Sequence, residues 1–190
     1  MYVCIFNTQI CWDRRYDGDT GEDCLVSVDC TDCRIREQGP TFYSYKFKKS
    51  ALRYEVAICI KTGDIVWVNG GYAPGEYNDL EIFRDSLMHM LDQYERVEAD
   101  DGYVGEHPQK IKCPKGFCNP EETEFMQQRV RNRQESVNQR FKTWGCLKQV
   151  WRHHIPDHSD AFHAIAVIIQ IQIDFGDRLF NCGYRDPPYD

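Results

Sequence analysis

Apolar and polar positions follow two different periods along this chain, and the switches between them mark the elements. Cys24-Leu-Val-Ser-Val-Asp29 is a short apolar run closing on a carboxylate, which predicts a strand. Arg53-Tyr-Glu-Val-Ala-Ile-Cys-Ile60 and Ile65-Val-Trp-Val68 flank Lys61-Thr-Gly-Asp64, two β-branched runs around a turn, which predicts a hairpin. Gly70-Gly-Tyr-Ala-Pro-Gly75 then breaks the strand pattern. From Asn78 the period becomes helical. Asn78 and Glu81 form a candidate capping box, and Leu80, Phe83, Leu87, Leu91 and Tyr94 make one apolar face.

Arg96-Val-Glu-Ala99 predicts a short strand running into Asp100-Asp101-Gly102-Tyr103, and a loop covers about 104–120. A long helix is expected from Glu121 to Trp144, with Glu121, Glu122 and Glu124 at the positive end of its dipole. Ala161–Phe175 reads as a last helix by its length, with Ser159 as cap and Gly176 as stop. This order predicts an α/β or α+β domain with a mixed sheet. Asp13–Asp23, with four Asp and no aliphatic residue, reads as linker. The expected organisation is a flexible linker over 1–23, one domain over 24–180 and a tail over 181–190.

Composition changes this picture little. Hydrophobic residues make up 42% and charged residues 28%, a globular balance. The formal charge of −7 excludes a sleeve that holds nucleic acid by bulk positive charge. It leaves room for an enzyme that gathers carboxylates around cations, and for a local basic stripe. No stretch reads as membrane-spanning, so no membrane partner is expected. The N-terminus does not read as a signal peptide, and the ten cysteines are read as reduced thiols.

Three carboxylates fall where ligands gather in an α/β sheet. Asp29 and Asp100 are expected at strand ends, and Glu135 lies mid-helix. On a helical wheel Arg131, Glu135, Asn138 and Lys142 share one face, while Val130, Val137, Phe141 and Trp144 share another. The apolar stripe can pack on the sheet while the polar stripe looks along its rim. Such oxygen ligands suit Mg²⁺ or Mn²⁺, two of which clamp a phosphodiester in many phosphoryl-transfer sites. Arg131, Asn138 and Lys142 are the candidates for holding phosphate.

Four motifs in order give a resemblance. Val28-Asp-Cys-Thr-Asp32 is similar to the Asp-Gly-Thr motif of the DDE transposases and endonucleases of the Harbinger and IS5-like groups. Pro74-Gly-Glu-Tyr-Asn-Asp79 with Leu80-Glu-Ile-Phe83, and Ala99-Asp-Asp-Gly-Tyr103, resemble their Pro-Gly…Asp…Ile-Phe and Ala-Asp-x-Gly-Tyr segments. Arg131-x3-Glu135-x6-Lys142 resembles their third block, with 34 residues between Asp100 and Glu135. The resemblance spans about Leu25 to Gly176. It implies a ribonuclease-H-like fold with a mixed five-stranded sheet flanked by helices. It also implies DNA cleavage and strand transfer with two divalent metal ions, Mg²⁺ or Mn²⁺, on Asp29, Asp100 and Glu135. DNA would be the partner, with a separate DNA-binding domain or Myb-like protein finding the target and a homo-oligomer compatible with the activity. The place of action would be the nucleus in a eukaryote and the cytoplasm otherwise.

The chain departs from that pattern at Cys30 for Gly, Asp101 for a base and Gln128 for Tyr. These departures motivate an alternative, a domesticated and catalytically inactive module that binds DNA or protein. Asp32 and Asp101 stand beside the chosen aspartates as near-duplicates. Cys30-x2-Cys33, Cys113-x4-Cys118, His107, His153, His154, His158 and His163 raise a zinc reading, weaker because closed zinc knuckles are more tightly paired. Arg129, Arg131, Arg133, Arg140, Lys142, Lys148 and Arg152 form a basic stripe suited to a DNA backbone. Tyr43, Tyr45, Phe47 and Trp67 read as sheet and core residues rather than stacking platforms.

Overall fold

The computed structural model describes residues 10–17, 24–114 and 121–182, the side chains of 121–126 excepted. Cys118, the tail from 183 onward, most of the expected linker and the acidic helix start at Glu121, Glu122 and Glu124 therefore lie outside what is described.

Six strands form one mixed sheet: β1 (Cys24–Arg34), β2 (Tyr43–Ser44), β3 (Lys49–Cys59), β4 (Ile65–Tyr72), β5 (Arg96–Glu98) and β6 (Ile111–Lys112). The order is β2-β3-β1-β5-β6, with β4 also paired to β3. β3 runs antiparallel to β1, β2 and β4, while β5 is parallel to β1 and β6 to β5. The expected count of five strands becomes six because the two-residue β2 adds to the start of β3. The helices are α1 (Asp79–Asp85), α2 (Glu121–Thr143), α3 (Gly145–Lys148) and α4 (Ile155–Asp174).

Alternation in the strands divides the core into two layers. Val26, Val28, Ala57, Val97 and Ala99 face Phe83, Leu87 and Tyr103 on one side. Leu52, Tyr54, Val56 and Ile58 face Val137 and Phe141 of α2 and Phe162 and Ile169 of α4 on the other. Phe162 stacks between Tyr54, at 3.9 Å, and Phe141, at 4.5 Å between centroids. Burying such side chains contributes about 1.5–3 kcal/mol each. The apolar stripe of α2 thus docks on the sheet as the wheel predicts.

Four elements differ from their sequence expectation. β1 does not stop at Asp29 but runs to Arg34, because its polar second half finds partners: Asp32 pairs with Arg53 at 2.8 Å. β4 continues through Gly70 and Gly71, whose φ angles of 144° and 94° carry a bulge against β3. A Cβ at Gly70 would stand 2.6 Å from the Arg53 carbonyl, so only glycine fits there. α1 has the expected capping box but ends after about two turns. The single proton of Ser86 Oγ is shared between the Ile82 carbonyl at 2.6 Å and Glu55 at 3.1 Å, and Tyr94 is left exposed. α4 starts at Ile155 rather than near Ala161, with Pro156 in its first turn.

Part of the expected linker is also ordered. Trp12–Asp17 is a short 3-10 helix held by Arg15, which is 3% exposed and donates to both oxygens of buried Glu95, at 2.9 and 3.4 Å. No described helix is long and apolar enough to cross a membrane.

Candidate functional site

Asp29 sits on the face of β1 that looks toward α2, since Ser27 and Asp29 alternate with Val26, Val28 and Cys30. Gln134 ties the two elements, accepting from Ser27 Oγ at 2.8 Å and donating to the Val56 carbonyl at 3.0 Å. One turn along, Asn138 Nδ2 donates to Asp29 Oδ2 at 2.8 Å, and the other carboxylate oxygen accepts the Cys30 N–H at 2.8 Å. Asp100 follows β5, which runs parallel to β1. It caps the next 3-10 turn by accepting the Gly102 N–H at 2.8 Å. A Cβ at Gly102 would stand 2.8 Å from Asp100 Oδ1, so any side chain there would displace that carboxylate.

Asp29, Asp100 and Glu135 line one small cleft of about 120 Å³, together with Arg131 and Lys46. Its lining holds no thiol and no imidazole. A neighbouring cleft of about 320 Å³ shares Asp29, Glu135 and Lys46 and adds Asp32, Asp79, Asn138 and Lys142. Among the described residues no three His, Cys, Asp or Glu side chains stand close enough together to hold an ion as they are placed. The sequence-selected residues therefore meet at one cleft without closing into a ligand cage.

Electrostatics set the character of this cleft. Burial pushes the Asp29 carboxyl up to about 7, helped by Asp100 and Asp79 and opposed by Lys46 and the Cys30 N–H. Asp79 is raised for the same first reason, burial, with Arg53 and Lys46 pulling it back. Lys46 is raised although burial lowers it, because Asp29, Asp79, Asp100 and Asp32 all act on its ammonium. One lysine on the β2–β3 connection thus faces four aspartates.

The three residues assigned to phosphate have different surroundings. Arg131 Nη1 is buried and has no hydrogen-bond partner in the protein. Asn138 is committed to Asp29. Lys142 Nζ donates to the Asp32 carbonyl and lies 3.4 Å from Cys33 Sγ, joining α2 to β1. Asp32 belongs to a separate network in which Arg53 bridges it to Asp79, the latter at 2.7 Å. Sequence reasoning left Asp79 and Lys46 out of the site. Asp79 lies in the Pro74–Asp79 segment already singled out, whereas Lys46 carries no motif and enters only through the hairpin.

Other sequence candidates move elsewhere. Cys30 and Cys33 are three apart on one strand, so their side chains point to opposite faces. Cys30 accepts from Tyr103 at 3.4 Å on one side, and Cys33 meets Lys142 on the other, which removes the pair as a zinc knuckle. His158 is a core residue, its Nδ1 2.7 Å from the Tyr54 hydroxyl, and burial lowers it to about 4. In the basic stripe, Arg133 is buried and donates to the Ile60 carbonyl, and Arg140 pairs with Asp177 at 3.2 Å. Arg129 donates to the Asn181 carbonyl at 2.6 Å. Tyr45 is 82% exposed, and Tyr43 and Phe47 are more than a third exposed, on the hairpin beside the cleft rather than in the core. Trp67 keeps its expected place in the sheet, donating to Glu55 at 3.0 Å.

Neither the curated proteins nor the solved structures give a match to this chain. The family model described as DDE superfamily endonuclease matches residues 26–170, from the first residues of β1 to the last turns of α4. That span contains both layers of the core and every residue of the cleft, and the chain belongs to the DDE superfamily endonucleases.

Proposed function

We propose that the chain is the catalytic domain of a metal-dependent DNA endonuclease or transposase, with Asp29, Asp100 and Glu135 as its metal ligands. The observation that carries this reading is their convergence, from β1, the end of β5 and α2, on one cleft of about 120 Å³. The strand order and directions support a ribonuclease-H-like fold, with Asp29 on β1 and Asp100 just past the end of the neighbouring parallel strand β5.

The donor set fits a hard cation. It is all oxygen, and four aspartates already act together on the Lys46 ammonium, a place that favours positive charge. The chemistry that two Mg²⁺ or Mn²⁺ ions supply when bound is neutralisation of the charge that builds on a phosphodiester as its P–O bond breaks. The remaining work falls to the chain. Asn138 fixes the rotamer of Asp29, and the Gly102 N–H fixes that of Asp100. The unpartnered Nη1 of Arg131 is the donor available to a non-bridging phosphate oxygen. Action on DNA places the protein in the nucleus in a eukaryote.

Purified protein is expected to nick supercoiled plasmid with Mg²⁺ or Mn²⁺, and Asp29→Asn, Asp100→Asn and Glu135→Gln to abolish nicking. Nicking that survives all three substitutions refutes the assignment. One observation favours the second reading, an inactive module of the same fold: both oxygens of Asp29 have protein partners. Calorimetry with Mn²⁺ separates the two, because the inactive module binds no ion tightly.

A further inference from the structure

The chain carries −7 overall, yet the charged residues lining one pair of grooves are all basic. Two adjoining grooves, of about 710 and 750 Å³, meet where β1 ends. Between them they are lined by Arg34, Arg36, Lys48, Lys49, Lys148 and Arg152, and by no Asp or Glu. Among the described residues none of these six side chains makes an ion pair, in contrast to Arg129, Arg133 and Arg140 of the α2 stripe, which are all tied to the protein. The surface is built from distant segments. Arg34 ends β1 and Arg36 follows it, Lys48 comes from the hairpin and Lys49 opens β3, and Arg152 lies beside the Ile35–Trp151 bridge at the end of the sheet.

The grooves share no lining residue with the carboxylate clefts, and the β2–β3 hairpin is what joins them. The same hairpin puts Lys46 and Phe47 into the cleft and Tyr43, Lys48 and Lys49 into the groove. Along β1, Arg34 lies five residues beyond Asp29, an odd spacing that turns the two side chains to opposite faces, so the hairpin rather than the strand joins cleft and groove.

We propose that this cationic surface is a track for the backbone of duplex DNA, holding the flank that leaves the cleft past the β2–β3 hairpin. The inference rests on the DNA-cleaving reading and adds to it where the flank lies and which residues hold it. Unpaired cations in a groove with no acid give binding without sequence preference. The contacts made to phosphate then set register rather than specificity.

The test is fluorescence anisotropy of the full chain with a labelled duplex of about 20 base pairs, without divalent metal, from about 50 to 200 mM salt. Six phosphate contacts predict a slope of log affinity against log salt near −5, at about −0.9 per contact. The variant Arg36→Gln, Lys48→Gln, Lys49→Gln, Arg152→Gln should bind tenfold or more weakly, with a slope shallower by about 3 to 4. All four side chains are exposed and unpaired, so an unchanged thermal melt is expected and certifies the fold. Lys61→Gln, Arg84→Gln, Arg96→Gln, Lys110→Gln makes the same charge change elsewhere and should lose far less affinity. Equal losses in the two variants, or an unchanged slope in the groove variant, overturn the track. So does capture by anionic phosphatidylserine vesicles without duplex binding, or preference for an RNA duplex. Plasmid nicking by a protein whose binding ignores the groove would overturn the track and leave the endonuclease reading intact. Groove-dependent binding without nicking supports the track and removes the catalytic reading.

Discussion

Glu55 gives the sharpest physical test of how acidity is packed beneath the cleft. It lies on β3 opposite Cys30, fully buried, on the face that looks toward α1. One oxygen accepts from Trp67 at 3.0 Å and from Ser86 at 3.1 Å, and the other has no partner. Burial pushes its carboxyl up to about 7, while the two hydrogen bonds pull it back and Asp79 adds to the rise. The folded-state value lies above the unfolded one, so the folded state holds the proton more tightly. The stability this contributes is fully present below about pH 4 and is lost as pH rises toward 7.

With an unfolded value of 4.5 and a folded value of about 7, linkage gives a loss of about 2 kcal/mol between about pH 5.5 and 8.5. Asp29 and Asp79 titrate in the same direction, so the wild-type curve alone does not isolate Glu55. The difference between wild type and Glu55→Gln does, because both share every other group. Glutamine copies the shape of the neutral acid, so the two proteins should have similar stability near about pH 4. The variant should then gain about 2–3 kcal/mol over wild type by about pH 8. Urea unfolding at a series of pH values reads this directly. A difference that stays flat across the series refutes the account of Glu55 as a carboxyl forced to ionise inside the core.

Arg15→Met should lose about 3–5 kcal/mol, because it leaves Glu95 charged and buried without its partner. A melting temperature that does not move would return Trp12–Asp17 to the status of a linker. Arg133→Met removes the donors to the Ile60 and Lys61 carbonyls and should cost about 2–3 kcal/mol, with DNA affinity per folded molecule unchanged. Weaker DNA binding at an unchanged melting temperature would put Arg133 back into the basic stripe. Lys46→Met takes one positive charge away from four aspartates and should tighten Mn²⁺ binding about tenfold, read by calorimetry. Unchanged or weaker binding would show that the ammonium does not compete for the cleft.

The residues that sequence reasoning placed well are those whose environment is local. The Asn78–Glu81 box needs only its own first turn, and the stripe of Val130, Val137 and Phe141 needs only the helical repeat. Asp29 and Glu135 were singled out on local grounds too, as a carboxylate in a short apolar run and one on a regular helix, and both line the proposed cleft. The misread positions all depend on a partner far along the chain. The polar second half of β1 looks like a strand end until Arg53 takes Asp32 and Lys142 takes the Asp32 carbonyl. Arg15 looks like linker until Glu95, eighty residues on, buries it.

The hairpin between β2 and β3 takes the same logic into the site. Tyr43 and Phe47 read as core because aromatic residues favour strands. Only two residues pair as β2, however, so the connection stands free of the sheet and carries its aromatics outward. That leaves Lys46 at its tip to meet the acids of β1, α1 and the end of β5 together. In the chain these groups span more than fifty residues, and no single motif joins them. A cleft that gathers negative charge from three elements and meets it with a mobile class of side chain, a lysine, requires less commitment of the backbone than a closed cage of ligands. Under the proposed metal reading, a divalent ion in the cleft would take over from the Lys46 ammonium part of the negative charge that Asp29, Asp79 and Asp100 present.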